Sequence, residues 1–338
     1  MDRLPQGPGR WSPAREPSAS ITVPSFVAAR VLDPELAALL WITVEANLPL
    51  VVAGTDSPAF ARAVLDAFLD LLPPLTGRVE LQGEQEMFDW LADAEALGWA
   101  PEDTGHAGSG MAAGMAAGGP GPVPRLALPP RRAAPPETTC LVAGEIGADA
   151  AAAISGTRLR VLIRALQRGY GLAATMRAAS LEQVFTILSS PPPSVSADEL
   201  RRLGVVLVLG RASAAPVVEP GTGVPSGGGP EAVDPTGFRV VACHYVRPLE
   251  RDAAGHLQRR PPAILATWDR ERDVLEHYEW GITAELAMRV GSSRDEFEHE
   301  HVARARLVAG LVATGRTSPE ALRVLLAQRP KPRTGGEA

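Results

Sequence analysis

Apolar residues fall along this chain in two rhythms. Leu48–Ala53, Thr139–Gly144, Leu172–Met176 and Val205–Leu209 are short unbroken apolar runs, the pattern of strands buried on both faces. Between them the spacing turns helical. Asp33-Pro34-Glu35 opens one helix, with Leu36, Leu39, Leu40 and Val44 on a single face, and Asp33 placed to cap it. Ala59–Leu72, Ala148–Gln167 and Leu181–Leu188 read as further helices, the last broken by Pro191-Pro192-Pro193. Ser20–Phe26 reads as a short strand and Arg78–Gln82 as another. Alternating strands and helices with short turns predict an α/β core around a mostly parallel sheet. Phe238–Arg247, Ala263–Trp268 and Val274–Trp280 follow as antiparallel strands. Helices over Ser293–Thr314 and Pro319–Gln328 close a small C-terminal β-hairpin/helical subdomain.

Composition adds the boundaries. The 33 glycines and 32 prolines among 338 residues are clustered, which predicts a disordered N-terminus at 1–18 and a flexible insertion at 102–137. The same reasoning gives a linker at 213–237 and a disordered tail at 329–338. The core then spans 31–212 and the C-terminal subdomain 238–328. A net charge of −6 gives no reason to expect nucleic acid or an anionic membrane as partner. The N-terminal residues lack the apolar segment of a signal peptide, and no apolar run is long enough to span a membrane. Cys140 and Cys243 are expected as two buried thiols in a reducing cytoplasm rather than a disulfide.

The turn after the first core strand carries the candidate chemistry. A strand, a tight loop and a helix N-terminus form the frame of a phosphate cradle, filled in nucleotide-binding proteins by G-x-x-x-x-G-K-[ST]. Here those positions read Gly54-Thr55-Asp56-Ser57-Pro58-Ala59-Phe60-Ala61. The first glycine is present. The second glycine, the lysine and the hydroxyl are replaced by Ala59, Phe60 and Ala61, and the only lysine in the chain is Lys331, in the tail. Asp56 and Ser57 are expected to cap the following helix rather than to hold phosphate, which Asp56 would repel.

The order of segments resembles the secretion ATPases of type II and type IV systems, closest to the branch that drives archaeal flagella and type IV or Tad-like pili. Pro34–Trp41 followed by Leu50–Gly54 resembles the helix and strand leading into that family's phosphate loop. Val142-Ala143-Gly144-Glu145-Ile146 is similar to its second nucleotide motif, and Gly169-Tyr170-Gly171 through Thr175–Ser180 to its glycine-histidine and threonine-x-histidine segment. Ser190–Val195 resembles the serine-proline-proline run after it. The likeness covers about Ser20 to Gln328. It implies a RecA-like P-loop NTPase-type core, with 19–30 the remnant of a larger N-terminal domain.

It also implies lost catalysis. Where the family has an acidic pair, this chain has Gln82 and Gly83, with Glu84 or Glu86 one slip away. The motif histidine is Arg177, and Tyr170 replaces the other. Glu145 alone keeps its identity, as a vestigial catalytic position or a carboxylate capping the next helix. Phosphoryl transfer depends on lysine and Mg²⁺ neutralising the developing charge, so hydrolysis is not expected here. The expectation is a pseudo-ATPase without cofactor, a structural or regulatory subunit beside an active secretion ATPase or pilus platform protein. It would lie in the cytoplasm or at the inner face of the membrane, as a hetero- or homo-oligomer. ATP and Mg²⁺ enter only under the alternative, an active enzyme using Arg62 or a neighbouring subunit's arginine for the lysine. An adaptor unrelated to secretion is the other alternative. Elsewhere, Arg158, Arg160, Arg164 and Arg168 read as a solvated helix face, and Glu298–His301 as a charged helix surface without metal.

Overall fold

In the computed structural model, residues 11–12, 21–100, 135–147, 152–212, 234–251, 254–278 and 281–328 are described. The expected disordered or flexible segments 1–18, 102–137, 213–237 and 329–338 lie wholly or mostly outside them. After a two-residue strand β1 (Trp11–Ser12), the chain enters helices α1 (Val23–Ala28) and α2 (Pro34–Glu45). The core then runs β2 (Leu50–Ala53), α3 (Pro58–Leu69), β3 (Gly77–Glu80) and β4 (Thr139–Ala143). A minimal parallel pair β5 (Glu145–Ile146) and β6 (Ala153–Ile154) leads to α4 (Gly156–Ala165) and β7 (Gly171–Met176). Helices α5 (Leu181–Ser189) and α6 (Ala197–Leu200) precede β8 (Val205–Arg211). Then come β9 (Phe238–Tyr245), the small hairpin β10 (Glu250–Arg251) and β11 (Leu257–Gln258), and β12 (Ala263–Asp269) with β13 (Val274–His277). Helices α7 (Thr283–Arg289), α8 (Arg294–Ala313) and α9 (Pro319–Gln328) finish the described chain.

One nine-stranded sheet runs β1-β3-β4-β7-β2-β8-β9-β12-β13. Its five central strands, β3 to β8, are parallel, and every residue of β2, β4 and β7 is buried, as the apolar runs require. From β8 onward the pairing turns antiparallel. The protein is therefore a mixed α/β fold, as its sequence rhythm predicts. The core on one face is built from α1, α2 and α3 together with α7, α8 and α9; α4, α5 and the Phe88–Trp99 segment cover the other.

Several expectations change. Ser20–Phe26 is not a strand: Thr22 caps α1 through the Ser25 N–H, Pro24 suits its first turn, and Val23, Phe26 and Val27 are buried at helical spacing. Within the expected linker 19–30, Val23, Phe26 and Val27 thus join the core, while Ala28 and Arg30 are exposed. The helix expected over Ala148–Gln167 begins only at Gly156, because Ala153 and Ile154 pair as β6 and Ser155 takes the N-cap position. Nor does 238–328 form a separate unit. β9 pairs along the whole of β8, and Val240, Cys243, Leu286 and Phe297 share one core with Leu36, Val52 and Phe68. Asp33 does cap α2, accepting the Leu36 N–H at 2.9 Å. Both cysteines are buried thiols outside any disulfide, and burial pushes the Cys140 thiol up to about 12, so it is inert as a nucleophile.

Candidate functional site at the sheet switch point

The loop after β2 leads to α3 on one face of the sheet, whereas the loop after its neighbour β7 leads to α5 on the other. Adjacent parallel strands whose loops part in this way open a crevice at their C-terminal ends, the place where α/β sheets bind ligands. Three of the sequence-derived segments meet there. Gly54 N donates to Met176 O at 3.0 Å, Thr175 Oγ1 donates to Gly144 O, and Glu145 Oε1 lies 2.7 Å from Arg177 Nε. Glu145 therefore neither caps a helix nor stands free; its charge is matched by Arg177, at the end of the neighbouring strand β7.

The phosphate frame itself is closed by its own side chains. Ser57 is the N-cap of α3: its Oγ accepts the Phe60 N–H at 3.1 Å, and its carbonyl accepts the Ala61 N–H at 3.0 Å. Pro58 contributes no N–H. That leaves only Ala59 among the first-turn donors outside the cap, with Thr55 and Asp56 exposed on the loop. An anion at a helix N-terminus needs several such donors pointing at it. The capping expected of Ser57 is thus met.

Phe60 is not in the phosphate position. It is 1% exposed and turns into the core, stacked on Phe238 with centroids 4.2 Å apart and meeting Phe26 edge-on at 5.7 Å. Ala61 is buried beside it. The side chain that does reach toward the crevice from α3 is Arg62, whose Nη1 would lie 3.7 Å from a Cβ placed on Gly144. Arg62 is held by Asp66, one helical turn on, at 2.9 and 3.0 Å. The crevice so contains two arginines, each matched by a carboxylate, and a further negative charge at Asp56.

Gln82 and Gly83 are not brought to this point. β3 stands three strands from β2, roughly 14 Å at about 4.8 Å per strand. The exposed Gln82 donates its N–H to Glu86, and Gly83 takes a positive φ of 62° in a tight turn. Glu86 is buried and engaged by the Phe88 N–H and the Trp90 indole, while Glu84 is exposed. Glu86 is thereby fixed to its own loop. The Phe88, Trp90 and Trp99 cluster that orders this loop has a plain signal, closely spaced aromatics among polar residues, that the sequence reading passed over.

The arginine stripe on α4 also differs from a solvated face. Arg158 donates to Glu86 O and lies over the Trp99 ring at 5.1 Å. Arg160 reaches Pro193 O, Arg164 pairs with Glu199 at 2.6 Å, and Arg168 lies 3.9 Å from Asp93. The stripe clamps two loops to α4. On α8, His301 contacts Glu35 O at 2.8 Å, linking that helix to the start of α2.

Among the described residues no helix is long and apolar enough to cross a membrane. No protein-family model matches this chain, and no curated protein matches it either.

Proposed function

We propose that this chain is a pseudo-ATPase related to the type II and type IV secretion ATPases, serving a pilus or secretion machine as a non-hydrolysing structural or regulatory subunit. The observation that carries the reading is the state of the α3 N-terminus. Its donors are capped by Ser57, its lysine position is a core phenylalanine, and its nearest cation is tied to Asp66. A first strand lying between the fourth and fifth parallel strands, followed by a loop and helix at the switch point, is compatible with a RecA-like P-loop core. The partner this reading requires is an active secretion ATPase or a pilus platform protein in the cytoplasm.

The test is titration of the full chain with a fluorescent ATP analogue and Mg²⁺. The expected result is no saturable binding below roughly 1 mM, about −4 kcal/mol. Micromolar binding or turnover overturns the reading. The position of Arg62 beside Gly144 favours one alternative, an atypical nucleotide site in which Arg62 replaces the lysine. Under that alternative the chain binds ATP, and Arg62→Ala abolishes binding.

A further inference from the structure

Away from the switch-point crevice, beside the edge strand β13, a groove of about 550 Å³ opens between the α1–α2 connection and the β12–β13 hairpin. Val27, Val31 and Leu32 line it from one side, Val274 and Leu275 from the other, and Trp268 supplies an aromatic wall. Its volume falls in the range of small-molecule sites, about 300–1,000 Å³.

Most of its charged groups are already engaged. Arg239, only 12% exposed, forks onto Asp273 at 2.8 and 3.1 Å, and the Trp268 indole donates to the same carboxylate at 3.1 Å. Arg272 pairs with Glu276 at 2.9 Å. Asp33 accepts the Leu36 N–H and meets His277 at 2.7 Å. Arg30 differs. Its side chain is 75% exposed, and its ion-pair contact, 3.6 Å to Asp273, is beyond hydrogen-bond length.

The backbone at Arg30 makes the choice of residue informative. It is the residue after the α1 C-cap, with φ of 60°, where the Val31 N–H returns to Phe26 O and the Arg30 N–H to Val27 O. That paired closure favours glycine. Asp273, facing it across the groove, also holds a positive φ, of 49°. Both walls place charged side chains at positions whose backbone favours glycine.

We infer that the groove binds an organic monoanion, a carboxylate or sulfonate on an aromatic or branched apolar body. Arg30 takes the anionic group through its planar fork, and Trp268 with the aliphatic wall takes the body. Asp33 and Asp273 disfavour a second negative charge.

The test uses the full chain with 8-anilinonaphthalene-1-sulfonate and its uncharged analogue N-phenyl-1-naphthylamine, followed by fluorescence. Saturable one-site binding of the sulfonate is expected, with competition by benzoate. Arg30→Gly suits the backbone and should keep the thermal midpoint. It should weaken the sulfonate about tenfold, the size of one charge-assisted contact, while the neutral dye changes by less than about twofold. Trp268→Leu should weaken both dyes. Unchanged sulfonate affinity in Arg30→Gly, or equal binding at many sites, overturns the inference.

Discussion

Position 60 shows how a side chain's surroundings decide its meaning. By the spacing of the phosphate-loop motif it is where a lysine would sit, and the sequence alone suggests an apolar ring in a phosphate cradle. In the fold, Phe60 belongs to a three-ring cluster with Phe26 and Phe238. Phe60→Lys should therefore leave nucleotide binding absent and cost at least about 4 kcal/mol in urea unfolding, a truncated core aromatic plus a buried charge. Recovered ATP binding in that variant would show that the ring alone had blocked the site. The local signs at this loop were legible: Ser57 as cap and the missing lysine both follow from residue type. The direction of Phe60 was not, because Phe238 is far along the chain. Arg30, Asp273 and Trp268 were illegible for the same reason, since no spacing rule joins residues from opposite ends of a chain.

Among elements, the apolar runs located the central strands to within a residue or two, because strands buried on both faces cannot be polar. The errors fell where local patterns compete. Val23–Ala28 has strand-like residues, yet Thr22 and Pro24 start a helix that tertiary packing completes. At the start of β7, a Cβ on Gly171 would lie 2.0 Å from Asn47 Oδ1 and 2.8 Å from Asn47 O. Gly171→Ala should cost roughly 2 kcal/mol, read by denaturant midpoint, since backbone must move to admit the methyl group. The β12–β13 hairpin carries a pH dependence. The Arg239 hydrogen bonds, with help from Trp268, hold the Asp273 carboxyl down from 3.8 to about 2. A carboxyl lowered on folding adds stability above its ordinary value and gives it up as pH falls toward 2. Stability measured between pH 5 and pH 2 should fall less steeply in Asp273→Asn than in the parent; equal slopes would refute that assignment.

For the whole molecule, the antiparallel strands continue the parallel sheet, and the last three helices cover the same face as the first three. The sequence placed a boundary at 213–237 because composition changes there. Composition reports where a chain is rich in glycine and proline, not whether the parts on either side bury each other. A fragment of residues 1–237 should accordingly fail to show a cooperative melt by circular dichroism, having lost Phe238, Cys243, Tyr245, Leu286 and Phe297 from one core. A cooperative transition in that fragment would restore the two-unit view. The same continuity constrains how this sequence can change. The Phe26, Phe60 and Phe238 rings come from three distant segments, and each fits only while the others remain. Position 60 is in that sense entrenched. A polar residue there becomes tolerable only after compensating changes at 26 and 238, so a mutational path toward a phosphate-binding loop would pass through less stable intermediates, and single-site variation at 60 should be confined to other large apolar side chains.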